Sequence, residues 1–255
     1  MKSKQRRDAI AAHVLQQGDA RIDDLVAKFG VSRMTILRHL DELATQGVLR
    51  KLHGSVTAQP SSVYESLFAF RQSQRTNEKA LLASVAIDEI EPGQVVLIDD
   101  STTANALAPL LPRKAPLKVV TNSLDLTNAV ANSEGISLLV LGGDYHPTYN
   151  AFIGHVCENA IAALRVNVFI CSASAVVDGC ALIQDPQVAR VKQAMFKAAQ
   201  RRILLVDSGK FQKVALHLFA PLSDFDLVIT EAGLSDVQIE NLSAMGVKLR
   251  LVARQ

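Results

Sequence analysis

Residues 25–40 read LVAKFGVSRMTILRHL, and this stretch decides the fold of the N-terminal part of the chain. Apolar residues recur at helical spacing up to Gly30, which is a natural end for a helix. Ser32 can cap a following helix, whose apolar residues Ile36 and Leu40 lie on one face. Two short helices joined across a tight glycine turn are typical of a helix-turn-helix, in which the second helix lies in the major groove of DNA.

The sequence on either side completes a small domain. Apolar residues at helical spacing between Arg6 and Gln17 predict a helix before the pair. Residues 48–56, VLRKLHGSV, predict two short strands about a turn, which would form a wing. We therefore expect a winged helix-turn-helix DNA-binding domain over residues 1–57.

The outward-facing residues of this domain are the candidates for contact with DNA. Polar residues at the start of the second helix remain exposed when its apolar face turns inward. An arginine there can pair with guanine, and a threonine can contact phosphate or a thymine methyl group. The same pattern would also suit a three-helix module used only for protein contacts. The candidate DNA-binding residues are Ser32, Arg33, Met34, Thr35, Arg38 and His39 in the helix, and Arg50, Lys51 and His53 in the wing.

The charge of the chain is distributed unevenly. Residues 1–57 contain ten Lys or Arg and six Asp or Glu, whereas residues 58–255 contain 17 and 19. A cation excess in a short segment favours nucleic-acid binding, because cations that contact phosphates release counterions. An ordinary solvated surface can also carry such an excess, so the charge supports the helix-turn-helix interpretation without establishing it.

The overall composition indicates a globular protein with a substantial core. The chain has 255 residues, of which 49% are hydrophobic. Its longest apolar runs, such as residues 95–98 and 203–206, are far shorter than the roughly 20 residues of a membrane-spanning helix. No apolar signal-peptide core follows the basic N-terminus, so we expect a cytoplasmic protein.

The cysteines and histidines indicate neither a metal site nor a disulfide framework. Cys157, Cys171 and Cys180 are odd in number and form no CxxC pair, so we interpret them as small apolar residues that stay reduced. His146 and His155 are too far apart in the chain to form a helical metal pair. We expect no metal, no other cofactor and no catalytic residues.

The rest of the chain alternates between strand and helix patterns. Residues 58–76 read as a linker that runs into a connecting helix, and residues 77–255 as a larger domain. Alternating strands and helices predict an α/β fold with a mostly parallel sheet flanked by helices. The predicted strands are 95–99, 117–121, 136–141, 166–171, 203–207, 227–230 and 247–252, and the predicted helices include 81–90, 125–132, 187–199 and 236–245.

Two hydroxyl-rich loops follow successive strands of this predicted sheet. Ligands of such sheets collect at the carboxyl ends of strands, and hydroxyls and backbone N–H groups at a helix start suit a phosphate. Plain N-capping is the better explanation of Ser, Thr and Asn in either loop taken singly, but two such loops on successive strand ends favour a shared site. The acids would repel a phosphate, so we assign them to sugar hydroxyls or to holding the loop. The candidate effector-binding residues here are Asp99, Asp100, Ser101, Thr102, Thr103, Thr121, Asn122 and Ser123.

Two further strand ends add candidates for the same site. Gly142 and Gly143 permit close approach of a backbone, although a tight turn accounts for them as well. Lys210, in the stretch DSGKF, can supply the cation that a phosphate needs, although an exposed lysine is more often only solvated.

These motifs, taken in order, closely resemble the DeoR family of bacterial repressors. VSRMTILRHL and the later LRKLHG are similar to the family's VSxxTIRRDL and R-x-HGG, with Leu37, His39 and Ser55 as departures. DDSTT, VTNS, LGG and DSGKF are similar to the family's effector-domain motifs, with Ser101 in place of a glycine and Gly209 in place of a serine. A Ser101 side chain is expected to intrude on the phosphate pocket.

The resemblance implies fold, function and partners together. The family's effector domain is related in fold to ribose-5-phosphate isomerase. A member would be a transcriptional regulator, most often a repressor of a carbohydrate-utilisation operon, whose binding to operator DNA is controlled by a small phosphorylated sugar. Such a protein would act as a homodimer or homotetramer, since operators are built from paired half-sites.

Two alternatives stay open. The chain could be a sugar-phosphate isomerase-like enzyme with an attached DNA-binding domain, using Asp99, Asp100, Asp207 and Lys210 in acid/base chemistry. It could also activate transcription instead of repressing it. If His39, which replaces the family's aspartate, faces the DNA, operator affinity would rise as the pH falls through the imidazole range.

Overall fold

The structure, a computed structural model, describes residues 3–45, 48–58 and 68–253. The chain divides into two compact units, residues 1–71 and 72–255. Residues 59–67 of the predicted linker and connecting helix lie outside the described residues. The short helix α4, Phe68–Ser73, spans the boundary between the two units.

The N-terminal unit has three helices and a small sheet. The helix α2 ends at Gly30, which adopts the left-handed conformation with φ 62°, as the sequence predicted. The wing is also confirmed, but its sheet contains a third strand, β1, that the sequence analysis missed because it is only three residues long. The order of the antiparallel strands is β1-β3-β2. The elements are α1 Ser3–Gln17, β1 Asp19–Arg21, α2 Ile22–Phe29, α3 Arg33–Thr45, β2 Leu49–Lys51 and β3 Ser55–Ala58.

The core of this unit is made by the apolar face of each helix. Ile10 and Val14 of α1, Leu25 of α2, and Ile36 and Leu40 of α3 are completely buried in one cluster. Removing these side chains from water supplies the driving force that short helices cannot provide by propensity alone.

The larger unit is built on a parallel sheet with helices on both faces. Its further helices are α5 Thr76–Ala86, α6 Leu124–Val130, α7 His155–Ala162, α8 Pro186–Ala198 and α9 Asp236–Ala244. Its strands are β4 Val95–Ile98, β5 Leu117–Thr121, β6 Ile136–Val140, β7 Asp144–His146, β8 Ala151–Ile153, β9 Val166–Cys171, β10 Ala175–Val177, β11 Cys180–Ile183, β12 Ala199–Leu205, β13 His217–Pro221, β14 Leu227–Glu231 and β15 Leu249–Val252. Within the described residues the main sheet has seven strands in the order β15-β14-β12-β9-β4-β5-β6, all parallel.

The central strands are apolar on both faces. Leu97 and Leu204 belong to the core on one side of the sheet, whereas Val96, Ile98 and Ile203 belong to the core on the other. Side chains alternate between the faces of a strand, so a strand covered on both sides must be apolar throughout. This is why these strands appear in the sequence as continuous hydrophobic runs.

The structure differs from the sequence prediction in its short or abutting elements. β12 begins at Ala199, four residues before the predicted start, because α8 leads into it without an intervening loop. The helix α7 and two small antiparallel sheets, β7-β8 and β10-β11-β13, were not predicted. Within the described residues, no helix combines the length and the apolar character needed to span a bilayer.

Candidate functional site

The start of α3 has the geometry predicted for a recognition helix. The Ser32 hydroxyl accepts a hydrogen bond from the Thr35 backbone N–H at 3.3 Å, which caps the helix. The two hydroxyls of Ser32 and Thr35 are also 2.9 Å apart. Met34 is 74% exposed, and Arg38 is exposed one turn later. The first turn of α3 therefore presents uncovered side chains to a partner.

The basic residues of this unit lie at its surface. Arg33 forms an ion pair with Asp23 of α2, and Lys51 of the wing forms one with Asp41 of α3. The side chains of Arg50 and His53 are exposed in the wing. Exposed ion pairs contribute little to stability, so these cations can exchange an acid for a phosphate at small cost.

His39 lies in the interior of the N-terminal unit. Its side chain is only 1% exposed, so the expectation that it faces DNA is wrong. It lies on the inward face of α3 with Leu40 and with Ile36 and Leu43, which are three and four residues away. Neither ring nitrogen has a hydrogen-bond partner among the residues that the structure describes.

Burial lowers the pKa of His39. Removal from water lowers its pKa, the Glu42 carboxylate opposes this shift, and three nearby arginines add to it. Any pH response through this imidazole acts on the stability of the unit and not on a direct contact with DNA. The arginines that contribute are Arg38, Arg6 and Arg7.

In the larger unit, the predicted effector loops lie at one edge of the sheet. The loops 99–103, 121–123 and 207–210 follow β4, β5 and β12, whose carboxyl ends point the same way because the strands are parallel. Every residue of the first two loops is buried, and Lys210 in the third is half-buried. From the sequence, these candidates could only be placed after separate strands. In the structure, the three loops share one edge of the sheet.

Asp99 holds the first loop. Its carboxylate accepts hydrogen bonds from the Ser101 backbone N–H at 2.9 Å, the Ser101 hydroxyl at 2.5 Å and the Ser172 backbone N–H at 3.2 Å. It also forms an ion pair with Lys192. Four donors converge on one buried carboxylate, so of the two roles expected for this acid the structure favours holding the loop.

Lys192 is a residue of this edge that the sequence analysis did not select. Its ammonium group lies 3.6 Å from Asp100 Oδ1 and donates to the Ser172 carbonyl oxygen at 3.3 Å. Burial lowers the pKa of Lys192, but the Asp99 and Asp100 carboxylates outweigh that effect, so its pKa lies above the ordinary value and the group is charged. A signal was present in the sequence, because Lys192 falls on the apolar face of α8 with Val191 and Met195.

Two buried acceptors at this edge keep the capacity to accept a hydrogen bond. Asp100 Oδ1 has no hydrogen-bond partner within the part of the chain that the structure covers, and the same is true of Asn122 Oδ1. The Asn122 amide donates to the Phe152 carbonyl oxygen at 3.0 Å, which fixes its orientation. Buried acceptors of this kind are suited to the hydroxyl groups of a ligand.

The remaining polar residues of the loops stabilise the loops themselves. The Ser123 hydroxyl caps α6 by accepting from the Leu126 N–H at 3.2 Å, which confirms the capping interpretation for this residue. Thr121 Oγ1 accepts from the Ser123 N–H at 3.0 Å. The Ser101 hydroxyl donates to Asp99 and accepts from the Ala104 N–H, so it turns into its own loop. The expectation that this side chain intrudes on the phosphate pocket is therefore wrong.

A small cavity lies beside the first loop. It has a volume of about 180 Å³ and is lined by Thr102, Asn105, Thr76, Lys79 and Asp125, among others. Burial raises the pKa of Asp125, and a hydrogen bond from Asn105 partly offsets this effect. Thr103, by contrast, is buried in the loop.

The glycine pair has two different environments. A Cβ on Gly143, whose φ is 151°, would overlap the Ile153 carbonyl oxygen and lie 3.2 Å from the Cys157 Cβ. Gly143 therefore permits the close approach of β8, as the sequence suggested. Gly142 is exposed, and a Cβ there would meet no atom of any described residue within 4 Å.

Lys210 lies in the chain directly after Asp207, Ser208 and Gly209, at the end of β12. It lies in the helical turn Ser208–Gln212, where its backbone N–H donates to the Asp207 carbonyl oxygen at 2.9 Å. Asp207 and Glu231 are buried beside this turn, and Arg75 forms ion pairs with both. Arg75 and Glu231 were not selected from the sequence, because nothing in their local pattern links residues so far apart.

The three cysteines are buried or half-buried thiols. Burial raises the pKa of Cys157 to about 12 and that of Cys171 well above its usual range. Cys180 is half-buried. Across residues 3–45, 48–58 and 68–253 there is no group of three His, Cys, Asp or Glu side chains that could hold a metal ion.

Comparison with known families covers both units. The family model described as "DeoR-like helix-turn-helix domain" matches residues 6–62, and the one described as "DeoR C terminal sensor domain" matches residues 74–232. A winged helix-turn-helix joined to a sensor domain defines a DNA-binding transcriptional regulator. The chain belongs to the DeoR family, as its motifs suggested.

Curated relatives are similar to this chain over almost its full length. The chain is 32% identical to the "L-fucose operon activator" of Haemophilus influenzae over 91% of this chain and 93% of the relative. It is 32% identical to the "Glycerol-3-phosphate regulon repressor" of Escherichia coli over 91% of this chain and 92% of that protein. It is 27% identical to the "Putative aga operon transcriptional repressor" of Escherichia coli O157:H7 over 98% of this chain and 94% of that protein.

Solved structures with a similar fold include ribose-5-phosphate isomerase, as the sequence analysis expected. The isomerase A of Methanocaldococcus jannaschii matches with a TM-score of 0.40 and 14% identity, over 54% of this chain and 55% of that chain. The eIF2B delta subunit of Chaetomium thermophilum matches with a TM-score of 0.44 and 12% identity, over 77% of this chain and 61% of that chain. Nothing about function follows from likenesses this weak.

Proposed function

We propose that this regulator controls a carbohydrate-utilisation operon, and that a small phosphorylated sugar binds the carboxyl edge of the sensor sheet and changes the affinity for operator DNA. The observation that supports this most is the convergence of the loops after β4, β5 and β12 at one buried edge, with two buried acceptors that keep the capacity to accept a hydrogen bond. The relatives' names point the same way, since they are regulators of fucose, aga and glycerol-3-phosphate genes.

The chemistry of the edge matches both parts of such a ligand. Asp100 and Asn122 each offer a buried oxygen that can accept from a sugar hydroxyl. Lys210, in the helical turn after β12, supplies a cation for the phosphate. Asp99 and Lys192 would keep the first loop in place and would not need to move when the ligand binds.

The DNA-binding role is assigned to the exposed residues of the N-terminal unit. Met34, Thr35 and Arg38 would face base edges in the major groove, while Arg33 and the wing residues would contact phosphates. A regulator of this kind acts on DNA in the cytoplasm, where we expect to find it as a homodimer or homotetramer on paired half-sites. We expect repression, as in most of its named relatives.

An enzymatic function is less well supported by the same residues. Asp99 is saturated with donors and Asp207 is ion-paired with Arg75, so neither is poised to take a proton from a substrate. We therefore expect binding of a sugar phosphate without turnover.

A thermal-shift screen tests the effector. The probes are glucose 6-phosphate, fructose 1-phosphate, fructose 6-phosphate, ribose 5-phosphate and glycerol 3-phosphate, each beside its unphosphorylated parent and inorganic phosphate alone. A ligand at 100 times its Kd stabilises the native state by about 2.7 kcal/mol. For a unit of this size that corresponds to a rise in Tm of roughly 5–10 °C.

Site variants decide where the ligand binds. We expect Asn122→Ala and Lys210→Ala to abolish most of the shift, while Lys197→Ala, which removes an exposed lysine of α8, should leave it unchanged. If all three variants show the same thermal shift as the wild type, this edge is excluded as the site. Conversion of a stabilising probe to a second sugar phosphate would instead favour the enzyme.

A further inference from the structure

Arg75 has an unusual backbone conformation at the start of the larger unit. Its φ of 49° and ψ of 45° place it in the left-handed region, where a residue with a long side chain is uncommon. Such a conformation persists only where the surroundings hold it. Arg75 immediately precedes α5 and lies four residues after Arg71, the last residue of the N-terminal unit. It therefore belongs to residues 71–75, the connecting segment, which joins the two units in the chain.

Three carboxylates surround the Arg75 guanidinium. Its Nε lies 3.2 Å from Asp207 Oδ1, and its Nη1 lies 3.7 Å from Glu231 Oε1 and 3.9 Å from Glu78 Oε1. The side chains of Asp207 and Glu231 are 3% and 0% exposed, whereas that of Arg75 is 40% exposed. Two buried acids thus face a half-exposed cation that can leave toward solvent.

Gly209 is what permits this contact. A Cβ added to Gly209 would lie 2.6 Å from Arg75 Cζ and 2.9 Å from Nε, and closer still to Nη2. The atoms in its way are the end of a flexible side chain, so a larger residue at position 209 would displace the guanidinium and leave the backbone in place. Sequence comparison with the family had marked Gly209 as a departure from its usual serine.

Residues 231 and 207 also fix the turn that carries Lys210, the first through its carboxylate and the second through its backbone. The Glu231 carboxylate accepts from the Ser208 backbone N–H at 3.0 Å and from the Ser208 hydroxyl at 2.6 Å. Asp207 accepts the Lys210 N–H through its backbone carbonyl. The Glu231 carboxylate therefore contacts both Arg75 in the connecting segment and Ser208 in the turn after β12.

We propose that Arg75 couples occupancy of the Lys210 turn to the connecting segment, an inference that rests on the proposed function. A phosphate bound beside Lys210 attracts the same guanidinium that Asp207 and Glu231 hold. Once the guanidinium leaves these acids, the left-handed backbone at Arg75 loses its support. The first turn of α5 then loosens, and residues 71–75, which lead toward the DNA-binding unit in the chain, change their conformation.

Hydrogen exchange tests the mechanical part without any ligand. The Lys79 backbone N–H donates to the Arg75 carbonyl oxygen at 3.0 Å, so the exchange rate of this amide reports on the first turn of α5. We expect Gly209→Ala to speed exchange of the Lys79 amide by about tenfold or more, and Arg75→Gln to do the same. In the Arg75→Gln background, Gly209→Ala should add nothing, because the clash is gone. Additive effects, or no effect of Gly209→Ala, would overturn the proposal.

Operator affinity tests the coupling itself. The DNA is a duplex that the wild-type full-length protein selects from a random-sequence pool, and the probe is the sugar phosphate that gives the largest thermal shift. The ratio of operator Kd with and without this probe is expected to be on the order of 5–150 for the wild type. We expect Arg75→Gln to bring this ratio below about 2, while Arg113→Gln, at an exposed arginine, keeps the wild-type ratio.

The outcomes separate this proposal from the proposed function. If the Arg75→Gln variant keeps the wild-type ratio, Arg75 is not the coupling residue although the sensor function stands. If no probe changes the operator affinity of the wild type, the proposed function fails, and the hydrogen-exchange cycle alone decides whether Arg75 links the turn to the segment.

Discussion

Replacing Lys192 with methionine should strongly destabilise the larger unit. Lys192→Met keeps most of the side-chain volume but removes the cation that Asp99 and Asp100 face in the protein interior. The side chains of Lys192, Asp99 and Asp100 are 4%, 0% and 2% exposed, so water cannot replace the lost ammonium group. The variant is left with uncompensated charge beside the first effector loop.

The expected magnitude follows from the burial of the pair. Removing one partner of a buried ion pair costs about 3–5 kcal/mol, because the remaining charge stays desolvated. The larger unit covers residues 72–255. For a unit of that size each kcal/mol corresponds to about 2–4 °C, so we expect its Tm to fall by roughly 6–20 °C.

Differential scanning calorimetry with matched variants checks this prediction. Lys197→Met removes an exposed lysine from the same helix and should change the free energy of unfolding by less than about 0.5 kcal/mol. Adding Asp100→Asn to Lys192→Met removes one uncompensated charge and should recover part of the loss. If Lys192→Met is as stable as Lys197→Met, the buried pair does not hold the loop and the reasoning is wrong.

Three further predictions concern separate parts of the molecule. Because burial lowers the pKa of His39, the N-terminal unit should lose stability as the pH falls below the ordinary histidine value of about 6.5, and His39→Phe should abolish that loss in urea unfolding at pH 7.5 and 5.5. An unchanged pH dependence in the variant would contradict this. Arg50→Ala in the wing should weaken operator binding and reduce the slope of log K against log salt by about 1, whereas an unaltered slope would show that Arg50 makes no phosphate contact. Gly143→Ala should cost about 1–3 kcal/mol in unfolding experiments, with Gly142→Ala nearly neutral, and equal effects would rule out the close approach to β8 as the reason for the glycine.

Local features of the fold were predictable because they depend on neighbours in the chain. Ser32 caps α3, Gly30 ends α2, and the wing follows from the alternation of residues 48–56. The parallel sheet followed from the alternation of apolar runs with helical patterns, since strands buried on both faces must be apolar throughout. The strand β1 and the strands of the two small antiparallel sheets in the larger unit escaped prediction, because so few residues carry too little periodicity.

His39 shows how a local pattern can mislead. The position held a polar residue near the start of the recognition helix, and sequence comparison with the family placed an acid there, so an outward orientation was the natural expectation. In the structure the residue packs beside Ile36, Leu40 and Leu43. The angular position of residue 39 on α3 was available from the helical period, but the width of the buried face depends on how α1 and α2 pack against it.

The polar residues of the candidate site were found from sequence only where they follow a strand. Asp99, Asn122 and Lys210 could be selected because the carboxyl ends of parallel strands collect ligands. Lys192 pairs with Asp99 across 93 positions in the chain, and Arg75 meets Asp207 and Glu231 from the opposite end of the domain. These partnerships depend on which strands lie side by side and on which helix covers them. Periodicity determines that a segment is a strand or a helix, but the order of strands in the sheet is decided by the packing of the whole domain.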